Sequence, residues 1–196
     1  MFLYKRFDEY FIFIHIPKNG GKYIRNKIKK DKKNILLKEY WNVRNNFDLA
    51  HIPYSKKEEF IPSHIKYQYY TFTRNPYERY ISAFFYVNEK KFKSKPFLNT
   101  IYNKENIELM KKFLKETIHS YFFSSKYPSN MIHFFPQYMF LIDKEGNIPK
   151  NINIKKLEDY FSPKRYDINK MLDKECIQII NKVYEKDFSY FDYEKM

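Results

Sequence analysis

Along this chain, apolar runs alternate with amphipathic segments. Residues 10–16, "YFIFIHI", are apolar, aromatic and β-branched, which predicts a buried strand, and residues 21–30 follow as a helix. A second strand is expected over 67–73, "YQYYTFT", ending at Arg74. After Asn75-Pro76, the residues Tyr77, Tyr80, Ile81, Phe84 and Phe85 recur at helical spacing. Proline is tolerated in a first turn, so this stretch predicts a helix with one apolar face. An amphipathic helix is expected over 105–119, and "QYMFLID" (137–143) reads as a strand closed by the "KEGN" turn at Gly146. "NINI" then reads as a short strand before a helix over "KKLEDYF", with a last helix over about 173–186. Strands alternating with helices predict an α/β fold with a mainly parallel sheet, whose ligands bind beyond the carboxyl ends of the strands. Neither an internal repeat nor a long Gly, Ser or Pro linker interrupts the chain, so 1–196 reads as one domain with a sizeable core.

Charge adds a second constraint. Lysine and arginine number 37 against 23 acidic residues, a net charge of +14. That excess has two readings: an anionic partner, or a solvated lysine surface of the kind an AT-rich coding sequence produces. Cys176 is the only cysteine, which rules out an intramolecular disulfide and fits a reducing compartment. No apolar run approaches the roughly 20 residues that cross a bilayer. The start, "MFLYKRFDEYFIFIHI", carries Lys5, Arg6, Asp8 and Glu9 and makes a poor signal peptide. The expectation is a cytoplasmic chain with no membrane span.

Two of the three glycines, Gly20 and Gly21, stand together in "HIPKNGGKY", between the first predicted strand and helix. A glycine-bearing loop at a helix start lets backbone N–H groups close around a phosphate, with Lys18 and Lys22 adding full charges. The plain alternative is a βα turn with surface lysines. Against the standard GxxxxGK[ST] loop, Gly21-Lys22 supplies the GK, but Ile16 falls on the first glycine and Tyr23 on the Ser/Thr that holds Mg²⁺. The GxGxxG dinucleotide fingerprint is absent too. In "TFTRNPYERYISAFF", Arg74 ends a strand and Ser82 follows eight residues later on the next helix. A guanidinium and a hydroxyl converging there could clamp a second phosphate group. With only six arginines in the chain, Arg74 and Arg79 both fall in this stretch; Arg79 equally suits an internal ion pair.

These stretches together resemble the carbohydrate O-sulfotransferases that use 3′-phosphoadenosine 5′-phosphosulfate (PAPS), relatives of the heparan and uronyl 2-O-sulfotransferases. That family opens with a pattern like HIPKTAGTS and later carries RDPxxRxxS; here they read "HIPKNGGKY" and "RNPYERYIS". "HFFPQYMFLID" looks like the family's PQ-containing strand, "INIKKLEDYF" like its next strand and helix, and "VYEKDFSYFDY" like its Y-x-x-D-F ending. The resemblance implies a P-loop-like three-layer α/β/α fold with a central, mainly parallel sheet. It implies a 5′-phosphosulfate site formed by Lys18, Asn19, Gly20, Gly21, Lys22 and Tyr23, and a 3′-phosphate site formed by Arg74 with Ser82. Lys18 would stabilise charge on the leaving bridging oxygen, so no metal is required. "DLAHIPYSKKEEF" is similar to the segment where related enzymes carry a His base, in a pattern like GHVSY, which makes His51 the candidate base. Asn19, Lys22 and Tyr23 depart from the family's small hydroxyl residues, and Asn75 from its aspartate.

His15 reads as an internal packing residue and His133 as a weaker acceptor-site candidate; His64 and His119 have no assigned role. The partner expected is a glycan or other hydroxyl-bearing acceptor, with Lys56, Lys57, Lys90, Lys91 and Lys93 favouring an acidic one or serving only as surface. A nucleotide-binding or phosphoryl-transfer protein is the alternative within the same fold, and Tyr23 argues against its Mg²⁺ site. A basic RNA-binding protein is the other alternative. It predicts aromatics alternating with basic residues on an exposed sheet, whereas most aromatics here follow helix-face or buried-strand patterns.

Overall fold

The computed structural model describes residues 1–39, 43–44, 47–88, 101–118, 129–161 and 166–196. His119, Lys90, Lys91 and Lys93 lie outside the described residues. The chain forms two compact units, Met1–Arg74 with Gln137–Pro163, and Asn75–Pro136 with Lys164–Met196. Among the described residues no helix is long and apolar enough to cross a membrane.

The first unit is a mixed α/β unit. Its strands are β1 (Phe2–Arg6), β2 (Glu9–Phe13), β3 (Asn34–Glu39), β4 (Val43–Arg44), β5 (Phe47–Asp48), β6 (Tyr67–Thr73) and β7 (Ile152–Lys156). Five of them form one sheet in the order β3-β1-β2-β6-β7, while β4 and β5 pair separately. The pairs β2–β6 and β6–β7 are parallel, whereas β1 runs antiparallel to both β2 and β3. The sheet is therefore parallel on the β7 side and antiparallel on the β3 side.

The charged residues Lys5, Arg6, Asp8 and Glu9 mark the tip of the β1–β2 hairpin, where Phe7 turns with a φ of 52°. β3 alternates in burial but not in residue type: Ile35 and Leu37 are exposed while Leu36 between them packs partly on the core, and the strand pairs along the edge of β1. Helix α1 (Gly21–Lys30) lays Ile24 and Ile28, one turn apart, on a cluster with Phe2, Tyr4, Phe13, Phe72 and Leu157. One expectation is overturned here: 137–143 is no strand. Gln137–Phe140 is a 3-10 turn, with Leu141 N–H donating to Tyr138 O at 2.9 Å. A short buried apolar run does not distinguish strand from turn by itself. The following Asp143–Asn147 turn holds Gly146 at φ +85°, as "KEGN" predicts.

The second unit is helical. Helix α2 (Pro76–Val87) buries Tyr77, Tyr80, Ile81, Phe84 and Phe85, the face its periodicity predicts. Asn75 caps it, Oδ1 accepting from Tyr77 N–H at 3.0 Å and Glu78 N–H at 3.3 Å. An aspartate would cap in the same way, so the Asn–Asp departure preserves the cap. Helix α3 (Lys104–Phe113) runs into a wider turn over Leu114–Ile118; α4 (Lys174–Val183) and α5 (Glu185–Tyr190) follow. The buried hydroxyls find acceptors: Tyr80 donates to Met110 O and Tyr184 to Phe134 O, each at 2.8 Å. Arg79, 1% exposed, donates to the His133 carbonyl at 3.2 Å.

Asp173 caps α4, accepting from Cys176 N–H at 2.9 Å and from the Lys115 ammonium at 3.3 Å. Burial and the Asp173 carboxylate push the neighbouring Cys176 thiol up to about 12. Burial raises the Asp173 carboxyl, but the bonds from Cys176 and Lys115 outweigh it and hold the group below the usual carboxylate range. A depressed carboxyl contributes stability above its unfolded value and loses it as pH falls through the folded one. Asp173→Ala is expected to cost about 1 kcal/mol at neutral pH and less as pH falls through the group's lowered folded value, read from urea midpoints across pH.

Candidate functional site

The sequence motifs of the first unit meet at the carboxyl ends of β2, β6 and β7. Beyond β2 the chain stays beside β6, with Ile14 N–H donating to Tyr70 O at 2.9 Å and Thr71 Oγ1 donating to Ile14 O at 2.8 Å. It then turns tightly into α1. Gly20 sits at φ +75° and Lys18 at φ +69°, both left-handed. Glycine takes that conformation at little cost, whereas for lysine it costs about 1–2 kcal/mol. Gly21 answers a different need. A Cβ there would lie 1.8 Å from His15 Nε2, so only a bare Cα lets the imidazole seat against the helix start. The paired glycines thus serve the turn and the packing separately.

No side chain caps α1, and its first turn has no acidic residue. Its leading N–H groups have no intrahelical acceptor, and the helix dipole adds partial positive charge there. Lys18 is half-buried and Lys22 exposed beside this end. Tyr23 points outward, 56% exposed, its ring edge-on to Phe161 at 4.7 Å. Its phenol stands where a Mg·nucleotide loop needs a small hydroxyl.

The loop is tied to Arg74 through Gln137, a residue the sequence reading placed in a strand and gave no role. Asn19 and Gln137 are both 0% exposed. Asn19 Nδ2 donates to Phe72 O and to Gln137 Oε1, each at 2.7 Å. Gln137 Oε1 also accepts from Arg74 N–H at 2.9 Å, while Gln137 Nε2 donates to Arg74 O at 2.8 Å. Arg74, 5% exposed, returns the connection by donating from Nη1 to Lys18 O at 3.4 Å. The amide nitrogen of Asn19 is therefore committed to holding the loop on β6. The signal for Gln137 in the sequence is a lone amide inside a buried apolar run, where a polar group must be satisfied.

His51 is 5% exposed, on a 3-10 turn at Leu49–His51, and its Nδ1 lies 2.8 Å from His15 O. A carbonyl only accepts, so Nδ1 carries the proton and, in the neutral ring, Nε2 carries the lone pair. The His15 and His51 rings lie 4.4 Å apart, so the candidate base is assembled with Lys18, Asn19 and Arg74 in one unit. Ser82 lies on α2 of the other unit, half-buried. His133 is half-buried with its ring edge-on to Tyr86 at 4.8 Å, and His64 is exposed.

Gln137→Leu preserves volume but leaves one N–H of the Asn19 amide and both backbone groups of Arg74 without their Gln137 partner. It is expected to lower stability by at least about 2 kcal/mol in urea unfolding, since each buried unpaired polar group costs about 1–3 kcal/mol. No family model, no curated protein and no solved structure matches this chain.

Proposed function

We propose that the chain is a PAPS-dependent O-sulfotransferase on a P-loop-like α/β/α fold, moving a sulfuryl group to a hydroxyl of a carbohydrate-type acceptor. The observation that carries this reading is the Asn19–Gln137–Arg74 tie. It holds an uncapped, lysine-flanked helix start beside the backbone of Arg74, whose buried guanidinium reaches Lys18 O, at the ends of neighbouring parallel strands. A co-substrate with two separate anionic groups needs two such centres. The outward Tyr23 phenol argues against a Mg·nucleotide in the same loop.

In this reading the N–H groups opening α1, with Lys22, bind the 5′-phosphosulfate, and Arg74 binds the 3′-phosphate. Ser82 enters from the sequence resemblance alone. His51 Nε2 takes the acceptor proton as the acceptor oxygen bonds to sulfur and the bond from sulfur to the bridging oxygen breaks. Lys18 neutralises the charge that builds on that oxygen, and its left-handed backbone fixes where its side chain starts.

Titration with the product 3′-phosphoadenosine 5′-phosphate (PAP) tests the binding half. Lys18→Ala and Arg74→Ala should each weaken PAP at least about tenfold, as loss of a charged hydrogen bond predicts, and a folded wild type that binds no PAP ends the proposal. Transfer of labelled sulfate to an acceptor panel tests the chemistry. His51→Ala should slow turnover about 10²–10⁴-fold with PAP affinity unchanged, and undiminished turnover rejects His51 as the base.

A further inference from the structure

We propose that His15 is a positioning residue that locks His51 to the anion loop; its catalytic consequence rests on the sulfotransferase reading, its geometry does not. His15 does two things for His51. Its backbone carbonyl accepts the Nδ1 proton at 2.8 Å, which selects the tautomer with Nε2 unprotonated. Its ring also lies against the His51 ring at 4.4 Å, with 44° between the planes, and limits how that imidazole rotates.

His15 is itself held from several sides. Phe2 and Phe13 pack on it at 5.4 and 6.0 Å, and its backbone follows Ile14, which is bonded to β6 at both N–H and carbonyl. On the remaining side it seats against Gly21, where an added Cβ would meet Nε2 at 1.8 Å, Cδ2 at 2.0 Å and Cε1 at 2.6 Å. Gly21 is the first residue of α1, at the end assigned above to the phosphosulfate. One buried ring therefore touches both the start of the anion-binding helix and the base. Any displacement of His15 moves His51 relative to the loop.

The test is a double-mutant cycle of His15→Ala and Gly21→Ala, read by PAP affinity, by turnover, and by the imidazole Nδ1–H resonance of His51 (assigned by its loss in His51→Asn). His15→Ala keeps the carbonyl and removes the ring. It should lower kcat about 100-fold, the scale of an ångström's misplacement, with PAP affinity within about threefold of wild type. The His51 Nδ1–H signal, slow to exchange in wild type, should broaden or vanish. Gly21→Ala should reproduce the kcat loss and the spectral change by pushing the ring aside. In the His15→Ala background it should add less than about threefold, because the ring it strikes is gone. An unchanged His51 signal in His15→Ala, or full additivity of the two substitutions, overturns the proposal. If His15→Ala does not fold, Gly21→Ala carries the same turnover and spectral readouts, and an unchanged signal there overturns it equally. A wild type without turnover removes the sulfotransferase reading, and the His51 resonance alone then decides the role of His15.

Discussion

A buried primary amide carries donors on one atom and an acceptor on the other, and in the first unit Gln137 uses both ends to join three stretches of chain. Its oxygen accepts from Asn19 and from the backbone of Arg74, and its nitrogen donates back to Arg74. Because all these groups are out of water, breaking one leaves others unpaired at about 1–3 kcal/mol each. The geometry is thus specified sharply, although each bond made contributes only modestly. The positions of the Lys18 loop and of the Arg74 backbone follow from that one constraint, and the Arg74 guanidinium is then held on Lys18 O.

The loop shows a second economy, in space. Glycine is rare in this chain, and its two adjacent copies answer different demands: a left-handed backbone at Gly20 and room for an imidazole at Gly21. Lys18 takes a left-handed conformation without glycine's freedom, a strain the surrounding bonds must hold. Filling the Gly21 notch with His15 joins the helix start to a pair of tilted, touching imidazoles, so loop conformation and His51 orientation become one packing problem.

The helical unit was the most legible part. The spacing of Tyr77, Tyr80, Ile81, Phe84 and Phe85 marks a buried face, and Asn75-Pro76 marks a helix start, because both signals are local. β2, β6 and α1 were legible for the same reason. The β1–β2 hairpin was not, since its charged tip masks two short buried strands. β3 was hidden because an edge strand with exposed Ile35 and Leu37 lacks the alternation of residue type that reveals strands. Residues 137–143 were misread because an apolar run reports burial and not backbone direction.

What the amino-acid sequence determined by itself was side-chain type and local form: a glycine-bearing, lysine-flanked loop at a helix start, an arginine at a strand end, and the spacing that marks helix faces. Propensity, spacing and side-chain type act over a few residues, so they can be read without a fold. The sheet order, the mixed strand directions and the assignment of Asn19 to holding the loop were decided only by the tertiary structure. So was the tautomer of His51, because it depends on the carbonyl of His15, thirty-six residues earlier in the chain. Hydrogen bonds between residues so far apart leave no periodic trace, and only the folded chain shows which partner each buried polar group finds.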